Sequence, residues 1–128
     1  MDIIYEKKTD KSLKEALESL KGKLKENGFG VLLEMNYKDK LEEKELSLKD
    51  DYVILEVCTP KLVKEALEKN IYIGYLLPCK MVVRTEDNKT CVGMTNPEKL
   101  IGLFNDADSK DVSKKIRETL KKLIEDSI

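Results

Sequence analysis

The segment YVILEVCTPKLVKEALEKN, from Tyr52 to Asn70, decides the fold because it holds a strand, a sharp boundary and a helix in succession. Its first part, YVILEV, is rich in β-branched residues, which is typical of a central strand buried on both faces. Thr59 then occupies an N-cap position and Pro60 the first helical position, where a missing N–H costs nothing. Apolar residues follow at helical spacing, namely Leu62, Val63, Ala66 and Leu67. The segment therefore predicts a strand that runs directly into a helix.

The flanking sequence predicts further alternating elements. We expect a strand over residues 2–8, a helix from the capping box at Ser12 to the stop at Gly28, and a strand at FGVLLEM. A short helix is expected within residues 36–50. CKMVVRT and TCVGM should form a hairpin, and two helices should follow it. The order β-α-β-(α)-β-α-β-β-α-α predicts an α/β (α+β) two-layer sandwich, a single mixed sheet with helices mainly on one face, in one domain of residues 1–128.

Composition and charge exclude several classes of partner. Charged residues make up 38% of the chain, but 24 basic and 25 acidic side chains are interleaved and leave a formal net charge of −1. Without a basic patch, we expect no nucleic-acid partner. The opening MDIIYEKKTD has no signal-peptide character, and no apolar run approaches the roughly 20 residues of a membrane helix. The prediction is a cytoplasmic protein with no membrane partner, whose cysteines stay reduced.

Four ordered motifs, GFGVL, LEVCTP, LLPCKMVV and MTNP, resemble those of the family of small α/β proteins known as domain of unknown function 302. The resemblance runs from about Tyr5 to Phe104. In that family an asparagine usually precedes the proline of the second motif, where this chain has Thr59. An aspartate usually precedes the proline of the last motif, where this chain has Asn96. The resemblance implies a compact, often dimeric α/β domain with two recurring cysteines and an unassigned biochemical role.

Cys58 and Cys79 are the strongest candidates for chemistry. Cys58 ends a predicted strand just before a helix, where the backbone N–H groups and helix dipole favour an anion or a thiolate. If the two strands are neighbours, Cys79 lies beside it; the recurring cysteines of the family support treating them together. The sequence thus predicts a pocket for a small anionic or thiol-reactive ligand, with the candidate ligand-binding residues Cys58, Thr59, Pro60, Pro78, Cys79 and Met94.

Two other functions remain open at this stage. Cys58 could instead be the single catalytic thiol of a redox enzyme similar to thioredoxin, with Lys61 in place of a second cysteine. In a purely structural or interaction scaffold, the cysteines would only pack, as free cysteine commonly does. No cofactor is required by the sequence, and the chain has no histidine. A metal, if any, would be held by Cys58 and Cys79, joined by Met94 for a soft ion such as Cu(I), or haem would be held by one thiolate.

Three further features bear on packing and assembly. Glu56 interrupts an apolar strand, and we expect it to face solvent or pair with a lysine, a general acid near Cys58 being the alternative. Cys91 lies in no motif and is expected to pack. The stretch from Tyr72 to Leu77 is apolar and aromatic, and forms either core, a pocket wall or the seam of a homodimer. We expect a two-fold homodimer because pairing would cover the edges of a short sheet.

Overall fold

A computed structural model describes residues 3–128, and it contains five strands and five α-helices. The strands are β1 (Ile4–Thr9), β2 (Gly30–Asn36), β3 (Tyr52–Cys58), β4 (Cys79–Glu86) and β5 (Lys89–Thr95). The α-helices are α1 (Leu13–Glu26), α2 (Tyr37–Glu42), α3 (Pro60–Lys69), α4 (Pro97–Gly102) and α5 (Lys110–Ser127). Two 3-10 helices, Ile71–Leu76 and Ala107–Ser109, precede β4 and α5. The predicted two-layer α+β architecture and element order are confirmed; residue 2 of the predicted first strand lies outside the described residues.

The five strands form one sheet in the order β1-β5-β4-β3-β2. Each of the four strand pairs within residues 3–128 is antiparallel, so the expectation of a mixed sheet was wrong. The reason lies in the connections. After β3, helix α3 and the 3-10 helix return the chain to the end of the sheet that it left, and Cys79 begins β4 opposite Val57. β1 and β2 run in the same direction but occupy opposite edges, so they do not pair.

One face of the sheet, the inner face, carries the hydrophobic core. Leu55, Met81 and Val92 have 0% exposure there and pack against apolar residues of the helices, such as Leu20 and Leu120. The capping box at Ser12 and Glu15 begins α1 as predicted, and Gly28 ends it with a φ of 78°. α1, α3 and α5 therefore form the second layer. β3, the strand of the segment Tyr52–Asn70, lies in the sheet between the central strand β4 and the edge strand β2.

The opposite, outer face of the sheet has a different character. Ile54 and Cys91 are buried but do not belong to the core cluster, because they point away from the helices. Around them, Ile4, Leu33 and Tyr52 expose 36–40% of their surface, which shows that this face is open. No helix within residues 3–128 combines the length and the apolar composition that crossing a bilayer requires.

Candidate functional site around Cys58 and Cys79

Cys58 lies at the junction between the last residue of β3 and the first turn of α3. The strand places its backbone opposite Gly30 of β2, and Pro60 starts the helix two residues later. The side chain is half-buried, so it is reachable without being fully solvated. A sulfur atom at this point is close to the N–H groups that a helix leaves unpaired in its first turn.

Cys79 lies on the neighbouring strand and is the buried member of the pair. It follows the cis bond between Leu77 and Pro78 and pairs with Val57, so the two cysteines are diagonal neighbours across β3 and β4. Its exposed fraction is 8%. The predicted juxtaposition of the two cysteines is therefore present, and both are free thiols.

The two thiols line one small cavity. Its other walls are mainly apolar side chains drawn from several elements, namely Phe29, Leu62, Val63, Leu77 and Ile116, with Thr59 at the junction. The cavity volume is about 10 Å³, at the lower limit of what one water molecule needs. A pocket for a metabolite-sized ligand typically spans about 300–1,000 Å³, so these residues do not form one.

Sequence reasoning missed most of the walls of this cavity. Phe29 follows Gly28, whose left-handed conformation turns the chain out of α1 and into β2. Ile116 comes from α5, more than half the chain away from Phe29. The motif GFGVL was a signal for Phe29, whereas Ile116 fitted the ordinary apolar stripe of a helix and gave none. Only the packing of α5 on α3 brings Ile116 to the site.

The two thiols differ in their electrostatics as well as in their exposure. Burial raises the pKa of Cys79 to about 11, and a negative charge on Cys58 adds to the shift. Cys79 is therefore protonated at neutral pH. Burial also raises the pKa of Cys91, which lies on the outer face beside Arg84. Of the three cysteines, Cys58 is the most accessible to a reagent in solution.

Thr59 occupies the predicted N-cap position of α3 without performing the predicted capping. Its backbone is extended, with φ −124° and ψ 135°, but within residues 3–128 its side chain makes no capping hydrogen bond. The chain contains a second strand–cap–proline junction at Thr95-Asn96-Pro97. There the Asn96 side chain accepts hydrogen bonds from the backbone N–H groups of Glu98 and Lys99. The first turn of α3 thus lacks the side-chain acceptor that α4 has.

The remaining predicted site residues are not brought to the cavity. Pro60 is exposed at the start of α3, and Pro78 faces a separate depression with Glu56 and Lys80. Met94 is 2% exposed, packs in the core and is not among the cavity walls, so its role as a third soft ligand stays a prediction. Its side chain points to the inner face because it alternates with Gly93 along β5. Within the described residues, no group of three or more His, Cys, Asp or Glu side chains could hold a metal ion.

Comparison with known proteins identifies the family. The model of domain of unknown function DUF302 matches residues 5–127. The chain belongs to this family. It is similar over 100% of both chains to the crystal structure of an uncharacterized conserved DUF302 protein from Bacillus stearothermophilus, with 35% sequence identity and a TM-score of 0.96. Among curated proteins, none matches this chain. The predicted resemblance to this family is thus confirmed, and with it the two-layer fold.

Proposed function

We propose that this DUF302 domain is a cytosolic thiol-based sensing domain. In it, the Cys58 thiol reacts with small thiol-reactive species and Cys79 is its buried neighbour. The observation that carries the proposal is the shared cavity: two free thiols line it, one half-buried and one buried. Free thiols suit a reducing compartment, which is why the proposal places the domain in the cytosol.

The cavity narrows the range of ligands. A volume of about 10 Å³ holds at most one water molecule, so a small reagent would reach Cys58 from its exposed side and would not fill the cavity. The walls are mostly apolar, so they would not solvate a free anion, and the expected small anionic ligand is less suited to the site than a neutral reagent. A peroxide is a suitable probe because it is small, uncharged and reacts with thiolates.

The reaction with a peroxide follows from the difference between the two thiols. The Cys58 thiolate would attack one peroxide oxygen, the O–O bond would break, and the departing hydroxide would take up a proton to form water. Cys58 is then a sulfenic acid. The Cys79 thiol can attack the Cys58 sulfur next, forming an S–S bond as the sulfenic oxygen leaves in a water molecule. Because the pKa of Cys79 is raised to about 11, this second step would be slow at neutral pH.

Thiol modification tests the proposal directly. Alkylation of native protein by iodoacetamide, followed by mass spectrometry as a function of pH, should modify one thiol, and Cys58→Ser should abolish that reaction. Cys91→Ser is the matched control and should react like the wild type, because Cys91 is buried on the other face of the sheet. Cys79→Ser should retain the first modification but prevent the S–S bond after peroxide treatment.

Two results would contradict the sensing proposal. If every thiol reacts only after denaturation, the cysteines merely pack and the domain is a scaffold. If the wild type turns over a disulfide substrate continuously and Cys58→Ser does not, the domain is a single-thiol redox enzyme. If a bulky maleimide modifies the thiol slowly and a small reagent modifies it fast, the size limit set by the cavity is supported.

A further inference from the structure

The depression that Pro78 faces lies at one end of the sheet, where β3, β4 and β5 meet α4. Its volume is about 260 Å³. Sites for drug-sized ligands typically span about 300–1,000 Å³, so this one suits a somewhat smaller molecule. The 3-10 helix Ile71–Leu76 and α4 pack against each other and close the depression at the end of the sheet. Elements that are distant along the chain thus form one enclosure, separate from the thiol cavity.

Two opposite charges line this depression without holding each other. Glu56 on β3 is opposite Lys80 on β4, and both side chains border the space. Within residues 3–128, neither forms an ion pair or a side-chain hydrogen bond, so the expected pairing of Glu56 with a lysine is not seen there. Glu56 is half-buried, and its carboxylate has therefore lost part of its hydration without gaining a counter-ion. A cationic group that entered the depression would supply one.

A second cluster of charges on the sheet shows the contrast. Arg84 donates hydrogen bonds to both carboxylate oxygens of Glu6, at 2.9 and 3.1 Å, and one of 2.9 Å to Glu86. Each of these three groups is already satisfied by another part of the protein. Glu56 and Lys80 differ from them because their hydrogen-bonding capacity is left for a molecule from solution.

One side of the depression is apolar. The residues Leu76, Leu77, Pro78 and Leu100 line it, and each is half-buried, so each keeps apolar surface that a ligand can cover. The stretch Tyr72–Leu77, expected to form core, a pocket wall or a dimer seam, contributes Ile73 to the core and two leucines to this wall. An apolar wall beside a pair of opposite charges is the arrangement that a zwitterion with an apolar side chain would need.

We propose that this depression binds a free amino acid with an apolar side chain. Its ammonium group faces the Glu56 carboxylate, its carboxylate faces the Lys80 ammonium group, and its side chain covers the apolar wall. The Thr95 hydroxyl, which lines the same space, can donate a hydrogen bond to the ligand carboxylate. A ligand with a single charge would satisfy one of the two side chains and be repelled by the other.

An extended peptide is the competing occupant. Inside a peptide, the amino and carboxyl groups of a residue are uncharged amides, so Glu56 and Lys80 would both stay without a counter-ion. The charges therefore favour the free amino acid. This proposal does not depend on the chemistry of Cys58, and Cys58→Ser should bind the amino acid as the wild type does.

Nuclear magnetic resonance titration of the full chain with L-leucine and three analogues tests the proposal. L-leucine should shift the amide signals of Glu56, Lys80 and Thr95. Leucinamide lacks the carboxylate, 4-methylpentanoate lacks the ammonium group, and N-acetyl-leucinamide lacks both and imitates a peptide. Each analogue should bind at least about tenfold more weakly than L-leucine, because at least one charge-assisted contact is missing.

Variants assign each contact to its side chain. Glu56→Gln should weaken L-leucine binding at least about tenfold without weakening that of 4-methylpentanoate, and Lys80→Gln should do the same without weakening that of leucinamide. Glu86→Gln and Lys89→Gln make the same changes of charge at the other end of the β4–β5 hairpin and should bind like the wild type. Circular dichroism checks that all four variants are folded.

Three results would overturn the proposal. The first is a wild type whose signals do not change with L-leucine at millimolar concentration. The second is N-acetyl-leucinamide binding as tightly as L-leucine, which would indicate a peptide site. The third is L-leucine binding that both Glu56→Gln and Lys80→Gln leave unchanged, because the amino acid would then lie elsewhere on the protein.

Discussion

Two junctions in this chain have the same order of parts but differ in their chemistry. At one, β3 ends at Cys58, Thr59 follows and Pro60 opens α3; at the other, β5 ends at Thr95, and Asn96-Pro97 opens α4. Asn96 caps its helix with two accepted hydrogen bonds, and the Thr59 side chain makes no such bond among the described residues. The first junction also lies beside a second thiol in a small cavity, whereas Thr95 pairs with Ile4 at the edge of the sheet.

The difference shows how one local pattern can serve either structure or chemistry. A capped helix end has its first-turn N–H groups occupied, so it gains stability and loses the capacity to stabilise another negative charge. An end without a side-chain cap retains donors that can stabilise a thiolate. The accessible sulfur of Cys58 lies at the junction that lacks a side-chain cap, which adds to the shared cavity as a reason for proposing the function there.

The largest expected effect concerns Cys79 and the dependence of stability on pH. Its pKa is raised from 9.0 to about 11 in the folded state, so the unfolded chain loses this proton first as pH rises. The contribution of the Cys79 proton to the free energy of unfolding is therefore fully present below pH 9. It is lost as the pH rises towards 11, which lowers the free energy of unfolding by about 3 kcal/mol in total.

Urea unfolding of the wild type and Cys79→Ala across this range measures the effect. The alanine variant should start less stable at neutral pH but lose less stability as pH rises. Val57→Ala is the matched control, because it removes buried volume opposite Cys79 and keeps the thiol. If all three proteins lose stability in parallel, the Cys79 proton is not held by the fold.

The next effect compares the caps of the two helices. Asn96→Ala should lower the free energy of unfolding by about 1–2 kcal/mol because two capping hydrogen bonds are lost. Thr59→Ala should change it by less than about 0.5 kcal/mol. Urea unfolding at unchanged m-value measures both, and Asn96→Asp, which keeps an acceptor, should recover most of the loss. Equal losses at the two positions would show that Thr59 caps α3 in solution.

Particular residues explain how far the sequence could predict this molecule. β3 and α3 were predicted because β-branched residues, proline and helical periodicity all act locally. The antiparallel sheet was not predicted, because the direction of β4 depends on how α3 and the 3-10 helix Ile71–Leu76 return the chain to the end of the sheet where β3 finishes. At the site, the adjacency of Cys58 and Cys79 was predicted. The lining by Ile116 and the burial of Met94 were not, because both depend on which side of an element faces the core.

The smallest expected effect is the one that links the junction to its chemistry. Thr59→Asn gives α3 the side chain that caps α4, and should raise the free energy of unfolding by about 0.5 kcal/mol. The added cap would occupy N–H groups near Cys58, so alkylation of native Cys58 by iodoacetamide should become slower at the same pH. Thr59→Ser keeps a hydroxyl and should match the wild type in both measurements. Faster alkylation in the more stable Thr59→Asn protein would separate the reactivity of Cys58 from the donors of α3, and the helix end would then have no part in activating the thiol.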